Sequence, residues 1–212
     1  MKTSKAIRTW GLVWGAAALV LVCVASASHA ADAASVTLGN LQKAFNGESN
    51  ANAKYLAFAK KADEEGYGQV ASLFRAAAAA EAIHFKFHSQ VIESLGAKAQ
   101  ADIKAPEVKS TKENLEAAIK GESYERDTMY PEFIAAAEKE KIQAAIDTFN
   151  HAKAAEAGHA KLYQEALDNL DKWKGGKKDF FVCPDCGNTV AALAFAKCPI
   201  CGESKSKFVK VN

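Results

Sequence analysis

Between residues 36 and 170, apolar side chains recur at alternating steps of three and four, the spacing of one face of an α-helix. Four such stripes can be followed through a segment rich in Ala, Lys, Glu and Leu. The first ends at the glycine-marked turn 65–68 and the second at Gly96. Residues 97–113 form the one long connection, between the second and third helices. The pattern predicts an all-α four-helix bundle with a single long crossover.

In every stripe, acidic or histidine side chains occupy positions where the pattern requires apolar ones. Two Glu-x-x-His pairs lie 75 residues apart, and a lone glutamate precedes them by 33 and 34 residues. The set comprises Glu48, Glu81, His84, Glu122, Glu156 and His159. Positions i and i+3 of a helix point the same way, so each pair can bind one metal ion. Because buried carboxylates without partners are costly, the placement indicates a shared cation.

Carboxylates with about one imidazole for each ion favour iron or manganese, in a ferritin-like bundle. The paired glutamates are expected to bridge two ions, and the lone glutamates to be terminal ligands. Glu125, three residues after Glu122, is a seventh candidate ligand. A surface position is the alternative for Glu125, but Leu115 and Met129 on the same stripe favour an inward one. An ordinary charged bundle with solvated pairs is the alternative for the whole set, and the core-line placement disfavours it.

The two halves of the bundle resemble an internal duplication. A shift of 75 residues places the first Glu-x-x-His pair on the second, and Tyr55 on Tyr130. His88 lies one helical turn beyond His84 on the interior line, where Tyr163 is its counterpart in the fourth helix. A hydrogen-bonded core histidine is the expected role of His88, and a place in a proton relay is the alternative.

The composition changes at residues 171–178 (DKWKGGKK), a charged linker that contains glycine. The tail that follows holds two Cys-x-x-Cys pairs separated by eleven residues: Cys183, Cys186, Cys198 and Cys201. This spacing indicates a metal site, since a unit so small buries too little apolar surface to fold unaided. Thiolate ligands alone accept iron or zinc. The apolar loop 190–196 (VAALAFA) is expected to pack on the bundle or on a partner.

The first thirty residues have the composition of a secretory signal peptide. Basic residues up to Arg8 precede an apolar run from Gly11 to Val24, and small residues follow to Ala30. An uncleaved membrane anchor is the alternative. Without this segment 24 basic residues face 25 acidic ones, which gives no argument for a nucleic-acid partner. The predicted division is a signal peptide (1–30), bundle (31–170), linker (171–178) and four-cysteine domain (179–212).

The order of the motifs resembles that of the rubrerythrins over essentially all of the chain beyond residue 30. The resemblance rests on Gly47-Glu48-Ser49, the two Glu-x-x-His pairs, the stretches GESYE (121–125) and MYPEF (129–133), and the two Cys-Pro-x-Cys-Gly sequences. It implies a ferritin-like domain with two iron ions, followed by a small β-containing, rubredoxin-like domain with one iron. Iron is therefore favoured over zinc in the four-cysteine site.

The resemblance also implies an activity: a peroxidase that reduces hydrogen peroxide to water in oxidative stress defence. Electrons would pass from the cysteine-bound iron to the di-iron centre. In the family, one iron moves between the histidine matching His84 and the glutamate matching Glu125. Tyr55 and Tyr130 match tyrosines that hydrogen-bond the ligand carboxylates, and with Glu125 they are the candidate catalytic residues. The family is usually dimeric, with the four-cysteine domain of one subunit serving the di-iron site of the other, so a homodimer is expected.

Two other functions use the same residues. A ferroxidase or oxygen-reducing di-iron protein would need the same ligands, although iron storage does not require the appended four-cysteine domain. A zinc-ribbon adaptor with a structural bundle would leave the buried carboxylates unexplained. Export would place the protein in the periplasm, where NADH is absent, so the expected electron donor is a c-type cytochrome or a quinol-linked protein.

Overall fold

The computed structural model describes the backbone of residues 25–212 and the side chains from residue 36 onward. The predicted signal peptide, residues 1–30, lies outside the residues whose side chains are described, so export stays a prediction. Among the helices of the described part, none combines the length and apolar character needed to cross a membrane.

Four helical rods form the bundle. They are α1 (Ala25–Glu64), α2 (Gly68–Ser94), a composite third rod of α3 (Thr111–Tyr124), a π-helical turn (Glu125–Met129) and α4 (Tyr130–Glu140), and finally α5 (Gln143–Asp168). The predicted fold class, an all-α four-helix bundle followed by a small β-containing domain, is confirmed. The predicted bounds of the bundle (31–170) and of the linker (171–178) remain predictions, although α5 ends at Asp168, close to the predicted end of the bundle.

The third rod departs from the uninterrupted helix that the periodicity predicts. In the π-helical turn the backbone N–H of Tyr130 donates to the carbonyl oxygen of Glu125, five residues earlier. Pro131 follows directly and has no N–H, so an α-helical hydrogen bond is lost there in any case. A π turn inserts one residue and shifts the buried face beyond it. Tyr130 and Phe133 are therefore buried, whereas the predicted interior residues Glu125 and Met129 are only partly buried.

The long crossover runs alongside α1. The side-chain amide of Asn50 donates to the carbonyl oxygen of Asp102 at 2.9 Å. The crossover ends in a capping box, in which Ser110 and Glu113 satisfy each other's backbone N–H groups at the start of α3. Side chains of α1 thus fix a segment that has no regular structure of its own.

The tail forms a three-stranded antiparallel sheet of order β2-β1-β3, with β1 at Phe180–Val182, β2 at Thr189–Val190 and β3 at Val209–Val211. Its inner face is continuous with the bundle core. Trp173 stacks on Phe180 with ring centroids 6.2 Å apart, and both belong to the buried cluster that contains Tyr55 and Phe74. The sheet is therefore seated on the bundle by apolar burial.

The apolar loop 190–196 packs in a different place from the one expected. Leu193 and Phe195 contact the buried cluster formed by the cysteines and Phe208, and the Phe195 and Phe208 rings are 5.3 Å apart. Within the chain, these side chains thus cover the four-cysteine site of their own domain and not the bundle, while packing on a partner stays a prediction. A domain this small has few other apolar residues with which to shield its cysteines.

Candidate metal centres

Six side chains from all four rods meet in the centre of the bundle. Each is no more than 2% exposed: Glu48, Glu81, His84, Glu122, Glu156 and His159. We refer to these six residues as the carboxylate box. Helical spacing brings the Glu and His of each pair to the same face, and the burial shows that this face is the inner one.

The box divides into two overlapping groups of possible metal ligands. Glu48 and His84 belong to one group, Glu122 and His159 to the other, and Glu81 and Glu156 belong to both. The Nδ1 atom of His84 lies 2.9 Å from Glu81 Oε2 and 3.0 Å from Glu156 Oε1. The Nδ1 atom of His159 lies 2.7 Å from Glu156 Oε2 and 3.6 Å from Glu81 Oε1. Glu81 and Glu156 are therefore positioned to bridge two ions.

The box fits metal ions on two further observations. One buried oxygen of each glutamate makes no hydrogen bond of good geometry with the described residues. Burial, and next the nearby Glu125, raise the pKa of Glu48 well above its usual range. Burial alone would lower the pKa of His84, but Glu156 and Glu81 raise it. Four acidic groups crowded into an apolar core need cations if they are to be ionised together.

Each terminal glutamate is held by a buried tyrosine. Tyr55 donates to Glu122 Oε1 at 2.5 Å, and Tyr130 donates to Glu48 Oε1. Burial and the adjacent carboxylate raise the pKa of both phenols, so both remain protonated donors. These bonds leave the second oxygen of each glutamate free to face an ion.

Glu125 lies beside the box and belongs to neither ligand group. It begins the π-helical turn, and its side chain is partly buried. Burial and the neighbouring Glu122 raise the pKa of Glu125, whereas Lys54 lowers it. The carboxyl group of Glu125 therefore interacts electrostatically with the glutamates of the box but does not belong to either ligand group.

The four cysteines of the tail converge on a second site. The sulfur atoms of Cys183 and Cys201 are 3.6 Å apart, as are those of Cys186 and Cys198. A tetrahedral site with metal–sulfur bonds of about 2.3 Å has edges of about 3.8 Å, so the cluster fits one ion. Burial raises the pKa of Cys183 to about 12, and a bound cation would remove that penalty.

Two equivalent turns present the cysteines. Gly187 N–H donates to Cys183 O and Gly202 N–H donates to Cys198 O, each at 3.0 Å. Both glycines have left-handed backbones, with φ of 74° and 80°. The side chain of Asn188 donates to the sulfur of Cys198 at 3.5 Å. Such donors stabilise thiolate charge and affect the reduction potential of a bound iron.

The two sites touch within one chain. The Nε2 atom of His84 lies 3.2 Å from the carbonyl oxygen of Cys186, and that of His159 lies 3.0 Å from Thr189 Oγ1. Since both Nδ1 atoms face the box, both Nε2–H groups are the donors. A Cβ atom built at Gly187 would overlap His84 Nε2, so only glycine permits this approach. The resemblance implies that the four-cysteine domain of one subunit serves the di-iron site of the other. In the structure of one chain the two sites meet within that chain, and the arrangement in a dimer stays a prediction.

A groove of about 580 Å³ opens beside the junction. Its lining includes His84 of the box, Cys186 and Cys201 of the four-cysteine site, and Thr148 and His151 of α5. The groove therefore brings solvent close to both candidate metal centres.

Several residues that shape the two sites could not be predicted from the sequence. Thr189 and Thr148 carry no local signal, because their contacts come from other elements. Gly187 is marked by the Cys-Pro-x-Cys-Gly sequence, although that sequence predicts only the turn and not the contact with His84. The hydrogen-bond partners of His88 were also not predictable, because they lie on other elements of the fold.

Comparison with known proteins agrees with this geometry. The rubrerythrin family profile matches residues 39–167. Nigerythrin from Nitratidesulfovibrio vulgaris is 42% identical over 173 residues, which cover 81% of this chain and 85% of the relative. Rubrerythrin-2 from Clostridium acetobutylicum is 35% identical over 178 residues, which cover 82% and 95% of the two chains.

Solved structures show the same likeness. Nigerythrin in its fully reduced, all-ferrous state superposes with a TM-score of 0.77 at 40% identity, covering 82% of this chain and 86% of that one. The carboxylate box and the four-cysteine site supply the donor sets of a di-iron centre and an iron–thiolate centre. On its sequence, its fold and its two donor sets, the chain belongs to the rubrerythrin family.

Proposed function

We propose that the protein is a peroxidase that reduces hydrogen peroxide to water in defence against oxidative stress. The hydrogen bond from His84 Nε2 to the carbonyl oxygen of Cys186 carries this proposal. It joins a candidate ligand of the di-iron site to a candidate ligand of the iron in the four-cysteine site. A purely structural zinc knuckle has no need to lie against the di-iron site, whereas a one-electron donor must lie close to its acceptor.

The residues of the box hold and orient the metal centre. When bound, the two irons would supply the electrons that cleave the O–O bond, and the cysteine-bound iron would replace them. His84 and His159 keep Nδ1 turned inward because their Nε2 atoms are bonded to the tail. Tyr55 and Tyr130 hold the terminal glutamates in position. The groove beside His84 gives a molecule as small as peroxide a path toward the box.

Glu125 is the proposed additional ligand. It lies on a π-helical turn, a structure that recurs at functional sites, and the charges of Glu122 and Glu48 interact with its own. When metal ions are bound, Glu125 would supply a further carboxylate beside the box, in addition to the imidazole of His84. Glu125, Tyr55 and Tyr130 remain the proposed catalytic residues.

Location, donor and assembly are further proposals. The signal-like segment at residues 1–30 supports export to the periplasm. A periplasmic protein would receive electrons from a c-type cytochrome or a quinol-linked protein, because NADH is not available there. A homodimer is proposed from the family alone, since the contact between the two sites is complete within one chain.

The test is stopped-flow visible spectroscopy on the iron-loaded, fully reduced full chain, mixed separately with hydrogen peroxide and with oxygen. The expected result is rapid return of the oxidised iron–thiolate band with peroxide and slow return with oxygen. Equal rates would replace the proposal with an oxidase or ferroxidase function, and a tail that binds only zinc would end the electron-transfer account. Glu125→Gln should slow the peroxide reaction, and Glu132→Gln, at an exposed position on the same rod, is the matched control.

A further inference from the structure

His88 is a fully buried histidine that belongs to neither ligand group. Its Nε2 atom lies 3.1 Å from the hydroxyl oxygen of Tyr130, and its Nδ1 atom lies 3.0 Å from Thr148 Oγ1. Tyr130 in turn donates to Glu48 of the box. Three hydrogen bonds therefore form one continuous chain from α5 to a candidate metal ligand.

The direction of these bonds follows from the chemistry of the last acceptor. Ionised Glu48 can only accept, so the Tyr130 hydroxyl must donate to it. The oxygen of Tyr130 then accepts from the Nε2–H group of His88, which leaves Nδ1 to accept from the Thr148 hydroxyl. Burial, together with the neighbouring His84, lowers the pKa of His88 to about 3, in keeping with a neutral ring. Every donor in the chain points toward the box.

The residue at the outer end of the hydrogen-bond chain borders the groove. Thr148 is 8% exposed and lines the groove beside His84, whereas His88 has no exposed surface. Asp147 and His151 line the same groove next to Thr148. Water in the groove can therefore exchange protons with Thr148, and through it with a ring that solvent does not otherwise touch.

The other half of the bundle lacks such a chain. The 75-residue shift makes Tyr163 the counterpart of His88 and Leu73 the counterpart of Thr148. The Tyr163 hydroxyl is buried and makes no hydrogen bond with the described residues, and Leu73 is fully buried. An unpartnered tyrosine thus replaces the imidazole of His88, and a leucine replaces the hydroxyl of Thr148. The connection to solvent is specific to the Glu48 side of the box.

We propose that Thr148, His88 and Tyr130 form a proton relay from the groove to the Glu48 side of the box. A water proton passes to Thr148 Oγ1, whose own proton moves to His88 Nδ1. The ring releases its Nε2 proton to Tyr130, and Tyr130 passes its proton to Glu48. One proton enters and one is delivered, and no member of the relay remains charged. The His88 ring is left in its Nδ1–H tautomer, which must return to the Nε2–H tautomer before the next proton passes. The use of the protons rests on the proposed function, since reducing one peroxide to two waters consumes two electrons and two protons.

The first test measures proton exchange without turnover. In the zinc-loaded full chain with isotope-labelled histidine, magnetic resonance reports the rate at which the ring N–H protons of His88 exchange with solvent. Thr148→Val removes the hydroxyl at constant shape and should slow that exchange by about tenfold or more. Thr148→Ser keeps a hydroxyl and should exchange like the wild type, as should Tyr163→Phe in the other half. Unchanged exchange in Thr148→Val would overturn the relay.

The second test uses the iron-loaded full chain. Thr148→Val should slow oxidation by peroxide and raise its solvent deuterium isotope effect, with Thr148→Ser restoring both. The side-chain amide of His88→Gln can form hydrogen bonds to both neighbours but cannot carry a proton from one to the other. This variant should therefore show the same slowing and the same isotope effect as Thr148→Val, and it provides the test if Thr148→Val folds poorly. Wild-type isotope effects in both variants would contradict the relay. If Thr148→Val slows the proton exchange but the wild-type protein does not react with peroxide, the proposed function is refuted and the relay stands.

Discussion

The Nε2–H group of His84 donates a hydrogen bond to the carbonyl oxygen of Cys186, 3.2 Å away, so the two candidate metal centres are joined by a single contact. The contact depends on the neighbouring Gly187, where any Cβ atom would overlap the imidazole. A carbonyl of the cysteine-bearing turn thus orients a ligand of the carboxylate box. The proposed electron transfer, the affinity of the box for metal and the seating of the small domain should therefore all depend on this junction.

Gly187→Ala should separate the two sites. The left-handed backbone costs the alanine about 1–2 kcal/mol of unfolding free energy, and the overlap with His84 pushes the turn outward. We expect the transfer of electrons from the cysteine-bound iron to the di-iron centre to slow at least ~10-fold, measured by stopped-flow absorbance.

The equivalent turn supplies a control for that substitution. Gly202 has the same left-handed backbone, and a Cβ atom built there meets nothing within 4 Å. Gly202→Ala should therefore show the backbone cost alone, with electron transfer unchanged. Equal slowing in the two variants would mean that the His84 contact is not the route.

The junction should work within one chain. We expect no recovery of peroxide turnover when a Cys183→Ser, Cys186→Ser double variant is co-refolded with a Glu81→Ala variant. Each variant keeps one working site, and the structure joins the four-cysteine domain to the bundle of the same chain. Substantial turnover in the mixture, absent from either variant alone, would instead show that the sites of two subunits cooperate.

Thr189 should tune the metal site on the His159 side. Thr189→Val removes the oxygen that accepts from His159 Nε2 at 3.0 Å and leaves a buried N–H unpaired. The expected cost is about 1–3 kcal/mol of unfolding free energy. Iron affinity, measured by competition with a chelator, should fall roughly 10–100-fold. Thr189→Ser retains the oxygen, so a loss of affinity in that variant would point to packing and not to the hydrogen bond.

His88 should make the fold sensitive to acid. Its pKa is lowered to about 3 in the folded chain, while an unfolded histidine titrates near 6.5. Between those values the unfolded state binds the extra proton, so falling pH reduces the free energy of unfolding. The limiting slope is about 1.4 kcal/mol for each pH unit.

Urea unfolding of the metal-free full chain at several pH values between the two pKa values measures this contribution. His88→Gln does not titrate, so the wild-type curve should fall more steeply than the variant's curve. Parallel curves would show that the imidazole is protonated in the folded core. His84 and Glu48, whose pKa values are raised, are present in both proteins, so the difference between the curves reports His88 together with its electrostatic coupling to His84.

Much of the fold was predictable from sequence because the relevant interactions are local. The helical period alone places the glutamate and histidine of each pair on one face, and the box contains those side chains. The Cys-x-x-Cys spacing likewise predicts a compact metal turn. The π-helical turn in the third rod was not predicted, because the helical period continues through Glu125 and Met129 without a visible break. In the structure the turn forms just before Pro131.

By itself, the sequence determined the four-rod bundle, the set of buried metal-binding side chains and the cysteine-bearing turns. Each follows from the geometry of residues close together in the chain. Only the tertiary structure decided what those residues touch from outside: Cys186 and Thr189 against the two histidines, and Thr148 and Tyr130 against His88. Such contacts join residues that are 30 to 102 positions apart in the chain, so the helical period of the sequence gives no information about them. They depend on how the small sheet and α5 are seated on the bundle, which apolar packing fixes only once the whole chain has folded.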